Sequence, residues 1–235
     1  MSEVLRSILD TIQSTQDTRP VVVFDLDGTL YDNRPRTLRI AHAYAANLGE
    51  AERVDAEKIL ALTVADLKYR LDDSMRPSGI SEPVIKGAQA HWFKRFFTDA
   101  ACADDVPVRW AVRFVRACYE RGATVVYLTG RDIPNMLVGT VRTLRDDGFP
   151  IGVPGVELIL KPTFEENDTA FKQGVLSRIG ALGRVVATFE NEPGNANMFA
   201  RFWPEAHTVL LKTSFAPGAP AADEGVVWVD DFRFA

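Results

Sequence analysis

The chain has 235 residues, 46% hydrophobic and 25% charged, with a net charge of −5. That length allows one compact domain of about 150 residues and something smaller beside it. The acidic balance, with no basic run, argues against a nucleic-acid or membrane-surface footprint. Two cysteines, Cys102 and Cys118, form neither a disulfide framework nor a zinc-ligand pattern, and they fit a reducing cytoplasm. The first 17 residues carry Glu3, Arg6 and Asp10, so no apolar signal segment is expected there. No apolar run approaches the roughly 20 residues that span a bilayer. The expectation is a cytoplasmic protein with neither a membrane nor a nucleic-acid partner.

In chain order, the first predicted strand is Val21, Val22, Val23 and Phe24, a short apolar run behind the helix breaker Pro20. It runs into Asp25, Leu26, Asp27 and Gly28, with Asp32 shortly after. Side chains at i and i+2 of an extended chain share a side, so Asp25 and Asp27 can converge on one ligand. Two converging carboxylates need a cation or a shared proton. Gly28 permits a sharp turn where a side chain would clash.

About 70 residues of helical pattern follow. Leu38, Ala41, Tyr44, Ala45 and Leu48 recur at helical spacing up to Gly49, and a second helix is expected over about 51–71, ended by a turn at 74–79. A third places Ile85, Ala88, Trp92, Phe93 and Phe96 on one face, an aromatic stripe read as the core of a small helical bundle. From about residue 106 helix and strand alternate. Strands are expected at 124–128, 156–160, 185–189, 207–211 and 226–229, with helices before and between them. Asp168 and Asn195 are read as helix caps. Valine-rich strands in βα units imply a parallel sheet covered by helices on both faces. The expected division is an α/β core at 1–34 and 105–235, with a small all-helical cap at 35–104 inserted after the first strand.

Ligands of such sheets bind beyond the carboxyl ends of the strands, so the residues after each strand are the candidates. The second strand delivers Thr129, Gly130, Arg131 and Asp132; a hydroxyl beside a glycine suits a phosphoryl oxygen. Two lysines compete to neutralise such a group, Lys161 at a strand end and Lys172 early in the following helix. The 185–189 strand leads into Glu190, Asn191, Glu192, Pro193 and Gly194, and three polar residues at a buried strand's exit are hard to explain as packing. His42, His91 and His207 are scattered, and no GxxxxGK[ST] run is present.

The run DLDGTL behind an apolar strand resembles the first signature of the haloacid dehalogenase (HAD) superfamily, and the later elements resemble its other motifs in order. The resemblance implies a Rossmann-like parallel sheet and Mg²⁺-dependent hydrolysis of a small phosphate monoester through an aspartyl-phosphate. It implies Asp25 as nucleophile and Asp27 as general acid and base. Thr129 would fix the phosphoryl group, with Lys172 or Lys161 as the neutralising lysine. Gly28, Thr129, Gly130 and Arg131 are the expected substrate-binding residues. Asp25, Asp27, Glu190 and Asn191 are the expected Mg²⁺ ligands, with Glu192 an alternative to Glu190. The family usually carries aspartate where this chain has Glu190 and Asn191. Dehalogenases lack the second aspartate, so Asp27 argues against that chemistry. A phosphomutase or other phosphotransferase, or an inactive phosphate- or partner-binding module, are the alternatives.

Overall fold

A computed structural model describes residues 2–15 and 17–234. Six parallel strands form one sheet: β1 (Pro20–Phe24), β4 (Thr124–Asp132), β5 (Val156–Lys161), β6 (Arg184–Glu190), β7 (His207–Leu211) and β8 (Val227–Val229). Their order is β5-β4-β1-β6-β7-β8. β1 lies in the middle, paired with β4 through Val21–Thr124 and with β6 through Phe24–Phe189. Every β1 residue is buried, as expected of a strand covered on both faces. From β1 the chain runs outward to β4 and β5, then returns to the other side at β6. The order in which strands are added therefore reverses between β1 and β6, where an open α/β sheet opens its ligand crevice.

Helix α1 (Glu3–Ser14) packs Leu5, Ile8, Leu9 and Ile12 into the main core. Their spacing is helical, although the sequence reading used this segment only to exclude a signal peptide. Helices α6 (Ala111–Glu120), α7 (Ile133–Asp146), α8 (Asp168–Gly180) and α9 (Pro193–Phe202) cover the sheet. One cluster, with Phe24, Phe114 and Phe189, fills one face; another, with Val21, Val23, Leu128 and Phe199, fills the other.

The insertion after β1 consists of α2 (Arg34–Ala45), α3 (Arg53–Leu60), α4 (Leu71–Met75), α5 (Glu82–Phe96) and short 3₁₀ turns. It has its own core, including Ala41, Ala45, Ile59, Met75, Ile85 and Ala88. A two-stranded antiparallel ribbon, β2 (Tyr31–Asp32) with β3 (Val106–Pro107), pinches its two ends together. Among the described residues no helix is long and apolar enough to cross a membrane.

Local details differ from the sequence expectation. α3 stops at Leu60 instead of running to residue 71, because Thr63 and Asp66 form a reciprocal capping box around a 3₁₀ turn. Such side-chain bonds to nearby backbone compete with helix propagation. On α5 Phe93 is 55% exposed while Ile85, Ala88 and Phe96 are buried, since one residue off the stripe turns a side chain away by about 100°. Asn167, not Asp168, caps α8 by accepting from the Ala170 amide. α9 starts at Pro193, so Asn195 sits in its first turn and turns its side chain inward. β4 extends to Asp132, which places Thr129, Gly130 and Arg131 within the strand's end.

Candidate active site

The floor of the candidate site is the exit of β1. The Asp25 amide donates to the Phe189 carbonyl at 3.0 Å, so pairing with β6 continues one residue past the strand and holds Asp25 at the crevice. A tight turn follows, with Gly28 N–H donating to the Tyr31 carbonyl and Tyr31 N–H to that of Leu26. Gly28 has φ +77°, and a Cβ there would lie 2.4 Å from Asn191 Nδ2. Conformation and space both demand glycine.

Lys172, on α8, reaches back to the floor. Its buried Nζ donates to Asp25 Oδ1 at 2.7 Å and to Glu190 Oε1. Burial pushes the Asp25 carboxyl up to about 7; Lys172 opposes this and Glu190 adds to it. Burial works against the Lys172 ammonium, but the two carboxylates hold its pKa above the ordinary lysine value. Lys161 is elsewhere: it pairs with Asp168 at 2.7 Å and donates to the carbonyls of Phe164 and Glu166, anchoring the loop after β5.

Glu190, at the exit of β6, is fully buried. Its Oε2 accepts from the amides of Asn191 and Glu192 at 2.8 and 2.9 Å, and its Oε1 accepts from Lys172 and from Asn195 Nδ2 at 2.9 Å. Every direction around this carboxylate is engaged by protein. Asn191 donates to the Ser214 carbonyl at 2.8 Å and accepts from Thr29 Oγ1 at 3.4 Å. Glu192 is half-buried, accepts from the Ala216 amide at 3.2 Å, and lines the cavity. Burial raises its pKa, an effect the Ala216 hydrogen bond only partly offsets.

Asp27 points away from Lys172 into a clamp of two arginines. Arg131 donates to its two oxygens at 2.7 and 2.9 Å, and Arg36 to Oδ1 at 3.1 Å. Asp105 receives both arginines from the other side, Arg131 at 2.7 Å. Burial favours the neutral form of Asp27, but the Arg131 and Arg36 charges outweigh it and hold the carboxyl well below the usual range. Two buried arginines face two aspartates here, and the cluster ties the insertion's α2 to the sheet. Arg36 and Asp105 had no motif to mark them; only the burial of their charged side chains shows them to be special.

Thr129 is fully buried, and its hydroxyl accepts from the Arg131 amide at 3.2 Å. It does not line the cavity, whereas Gly130 and Arg131 do. A Cβ on Gly130 would lie 2.5 Å from Asp168 Oδ2, so glycine is needed for that close approach. The structure thus gathers Asp25, Lys172 and Glu190 at one point, with Asp27, Gly28, Gly130, Arg131, Asn191 and Glu192 around a cavity of about 300 Å³. Thr129 and Lys161 stand outside its lining. The insertion closes the cavity with Thr37, Leu67, Trp92, Phe96 and Phe97.

Mg²⁺ takes oxygen ligands and keeps several waters. Among the described residues Asp25 Oδ2 and the Asp27 carbonyl receive no hydrogen bond, and no three His, Cys, Asp or Glu side chains form a ready-made metal cluster. Asp25 Oδ2 and the Asp27 carbonyl could hold a water-rich Mg²⁺ with Glu192 lining the same cavity, whereas the Asn191 amide is already engaged by Ser214 and Thr29. Glu190 would have to give up a protein partner to join.

No family model and no curated protein matches this sequence. Solved structures do. A presumed phosphatase from Clostridium difficile is similar with a TM-score of 0.56 at 15% identity, over 92% of this chain and 96% of that one. Protein Tyrosine Kinase A of Mycobacterium tuberculosis gives 0.52 at 14% identity, over 91% and 94%. A HAD-superfamily hydrolase of subfamily IA from Geobacter sulfurreducens gives 0.51 at 11% identity, over 92% and 93%. The parallel six-stranded sheet flanked by helices is therefore similar in fold to these structures, a HAD-superfamily hydrolase among them. At these identities the likeness is one of fold, and a fold hosts many activities. What this chain does has to come from its own site.

Proposed function

We propose that the protein is a Mg²⁺-dependent phosphate monoester hydrolase that acts on a small phosphorylated substrate through an aspartyl-phosphate. One observation carries this reading: Asp25 sits at the cavity floor with one oxygen held by Lys172 and the other unengaged among the described residues. That leaves a nucleophile oriented by a cation. Asp25 Oδ2 forms a bond to phosphorus while the ester P–O bond breaks and the leaving oxygen takes the electron pair. Water then attacks the aspartyl-phosphate and releases inorganic phosphate and free Asp25. Asp27 would take the proton of that water and return it to the leaving oxygen of the next cycle, a role that needs one of its arginine contacts to give way, since the clamp that keeps it ionised also weakens it as a base. Lys172 offsets negative charge beside the transferring group. Asp25 and the Asp27 carbonyl would hold Mg²⁺, which would supply further neutralisation of the phosphoryl oxygens.

Turnover of para-nitrophenyl phosphate with and without Mg²⁺ tests the reading. Asp25→Asn should abolish turnover while leaving the fold intact; activity within about tenfold of wild type would remove Asp25 as nucleophile. Release of phosphate to an added alcohol in preference to water would move the assignment to a phosphotransferase. A second reading, a phosphate-binding module without turnover, is favoured by Glu190, whose carboxylate is taken up entirely by protein partners. Binding of phosphonates with no turnover of any ester would select it.

A further inference from the structure

The wall facing the carboxylates is aromatic. Trp92 and Phe96 of α5 and the adjoining Phe97 line the cavity with Leu67 and Met136. The rings brace one another, Trp92 on Phe96 at 4.4 Å and Phe96 on Phe97 at 5.0 Å between centroids. Phe97 also meets Phe164 of the loop after β5 at 5.2 Å, so this wall joins the insertion to the core. The polar atoms within the wall are already paired. Trp92 Nε1 donates to Thr37 Oγ1 at 3.2 Å, and the Arg36 guanidinium lies over the Phe96 ring while committed to Asp105 and Asp27.

An alcohol rich in hydroxyls would lose its water partners against this wall and find no replacements, which is costly. A flat ring loses little and gains stacking or edge-to-face contact. Of the insertion's remaining polar lining, Asn33 donates to Asp27, Arg34 is paired with Asp32, the Thr37 hydroxyl accepts from Trp92, and Lys68 and Tyr69 are exposed. A cavity of about 300 Å³ stands at the small end of ligand pockets, which suits a phosphoryl group with one ring and not an extended chain.

We propose that this site selects phosphate monoesters whose alcohol portion is a planar aromatic ring, seated against Trp92 and Phe97. The inference rests on the phosphatase reading for the placement of the phosphoryl group at Asp25. It is tested by calorimetric binding of methylphosphonate, phenylphosphonate and cyclohexylphosphonate to the full chain in Mg²⁺, beside turnover of glycerol phosphate and para-nitrophenyl phosphate. Phenylphosphonate should bind about tenfold more tightly than methylphosphonate, the size of one good aromatic contact. Cyclohexylphosphonate, of similar bulk but without a flat face, should bind more weakly than the phenyl compound. Phe97→Leu, at a half-buried position, and Trp92→Leu should bring the phenyl-to-methyl ratio towards one. A wild-type ratio within about twofold, or equal binding of the cyclohexyl and phenyl compounds, overturns the ring assignment and leaves the phosphatase reading intact. If no phosphonate binds and no ester is hydrolysed, the phosphatase reading falls and takes this inference with it.

Discussion

Replacing Lys172 with methionine keeps the length of the side chain and removes one charge from the centre of the molecule. Lys172 Nζ is the shared cation of Asp25 and Glu190, whose side chains are 7% and 0% exposed. Glu190 would keep the Asn191 and Glu192 amides and Asn195 Nδ2, so it stays solvated by the protein. Asp25 would lose its only side-chain hydrogen-bond donor among the described residues and carry most of the loss. Breaking a buried ion pair by removing one partner costs about 3–5 kcal/mol, and the methionine stem avoids any added cavity term. The cost depends on pH. The Asp25 pKa is already raised to about 7 in the folded protein, and without Lys172 it rises further. An acid whose folded pKa exceeds its unfolded value contributes most stability below the unfolded value and loses it as pH rises through the folded value. The variant should therefore be about 3–5 kcal/mol less stable at pH 8, and about 1 kcal/mol closer to wild type at pH 5, where Asp25 is protonated in both proteins, because their titrations differ only above about pH 7. Urea denaturation followed by circular dichroism at both pH values, without divalent cations, measures this directly. A loss under about 1 kcal/mol at pH 8, or an equal loss at pH 5, would refute the placement of Lys172 as the compensating charge.

Gly28→Ala should lower stability by about 1–3 kcal/mol, because an alanine must hold φ +77° and displace Asn191. Gly122→Ala, at φ +90° with nothing within 4 Å, should cost only the conformational part, and equal losses by denaturation would show that the Asn191 contact is unimportant. Because Asp25 must be ionised to bind Mg²⁺, the Mg²⁺ concentration for half-activation should rise as pH falls below about 7, and a requirement unchanged down to pH 5 would contradict its raised pKa in the metal-free protein. Glu192→Gln should raise the Mg²⁺ concentration needed for half-activation. Glu190→Gln should mainly lower stability, since its carboxylate is already spent on Lys172, Asn195 and two amides. A shift in Mg²⁺ requirement from Glu190→Gln alone would make Glu190 the ligand.

The order and type of the major elements were legible because each rests on local pattern. The valine run of β1, the βα alternation after residue 106 and the turn at Gly28 need no distant partner to be recognised. The same holds for the candidate residues at strand ends, since chain order alone places Asp25, Gly130 and Glu190 beyond the carboxyl edge of the sheet. What lay beyond local pattern depends on residues far apart in the chain. Lys161, at a strand end, and Lys172, early in the next helix, are both candidates by sequence, yet of the two Lys172 reaches Asp25, because α8 folds back over the sheet between β4 and β6. Asp27 shares its strand exit with Asp25, but its environment comes from Arg131, 104 residues away, and from Arg36 and Asp105 on either side of the insertion. Phe96 and Phe97 read as bundle core in sequence terms, or as nothing in particular, until packing turned them onto a cavity. The sequence by itself determined the strands, their order along the chain and the acids at their ends, through periodicity and backbone conformation. Only the tertiary structure decided which charges are paired, which are buried and which face open space, because electrostatics and burial are set by neighbours that no local stretch of chain contains.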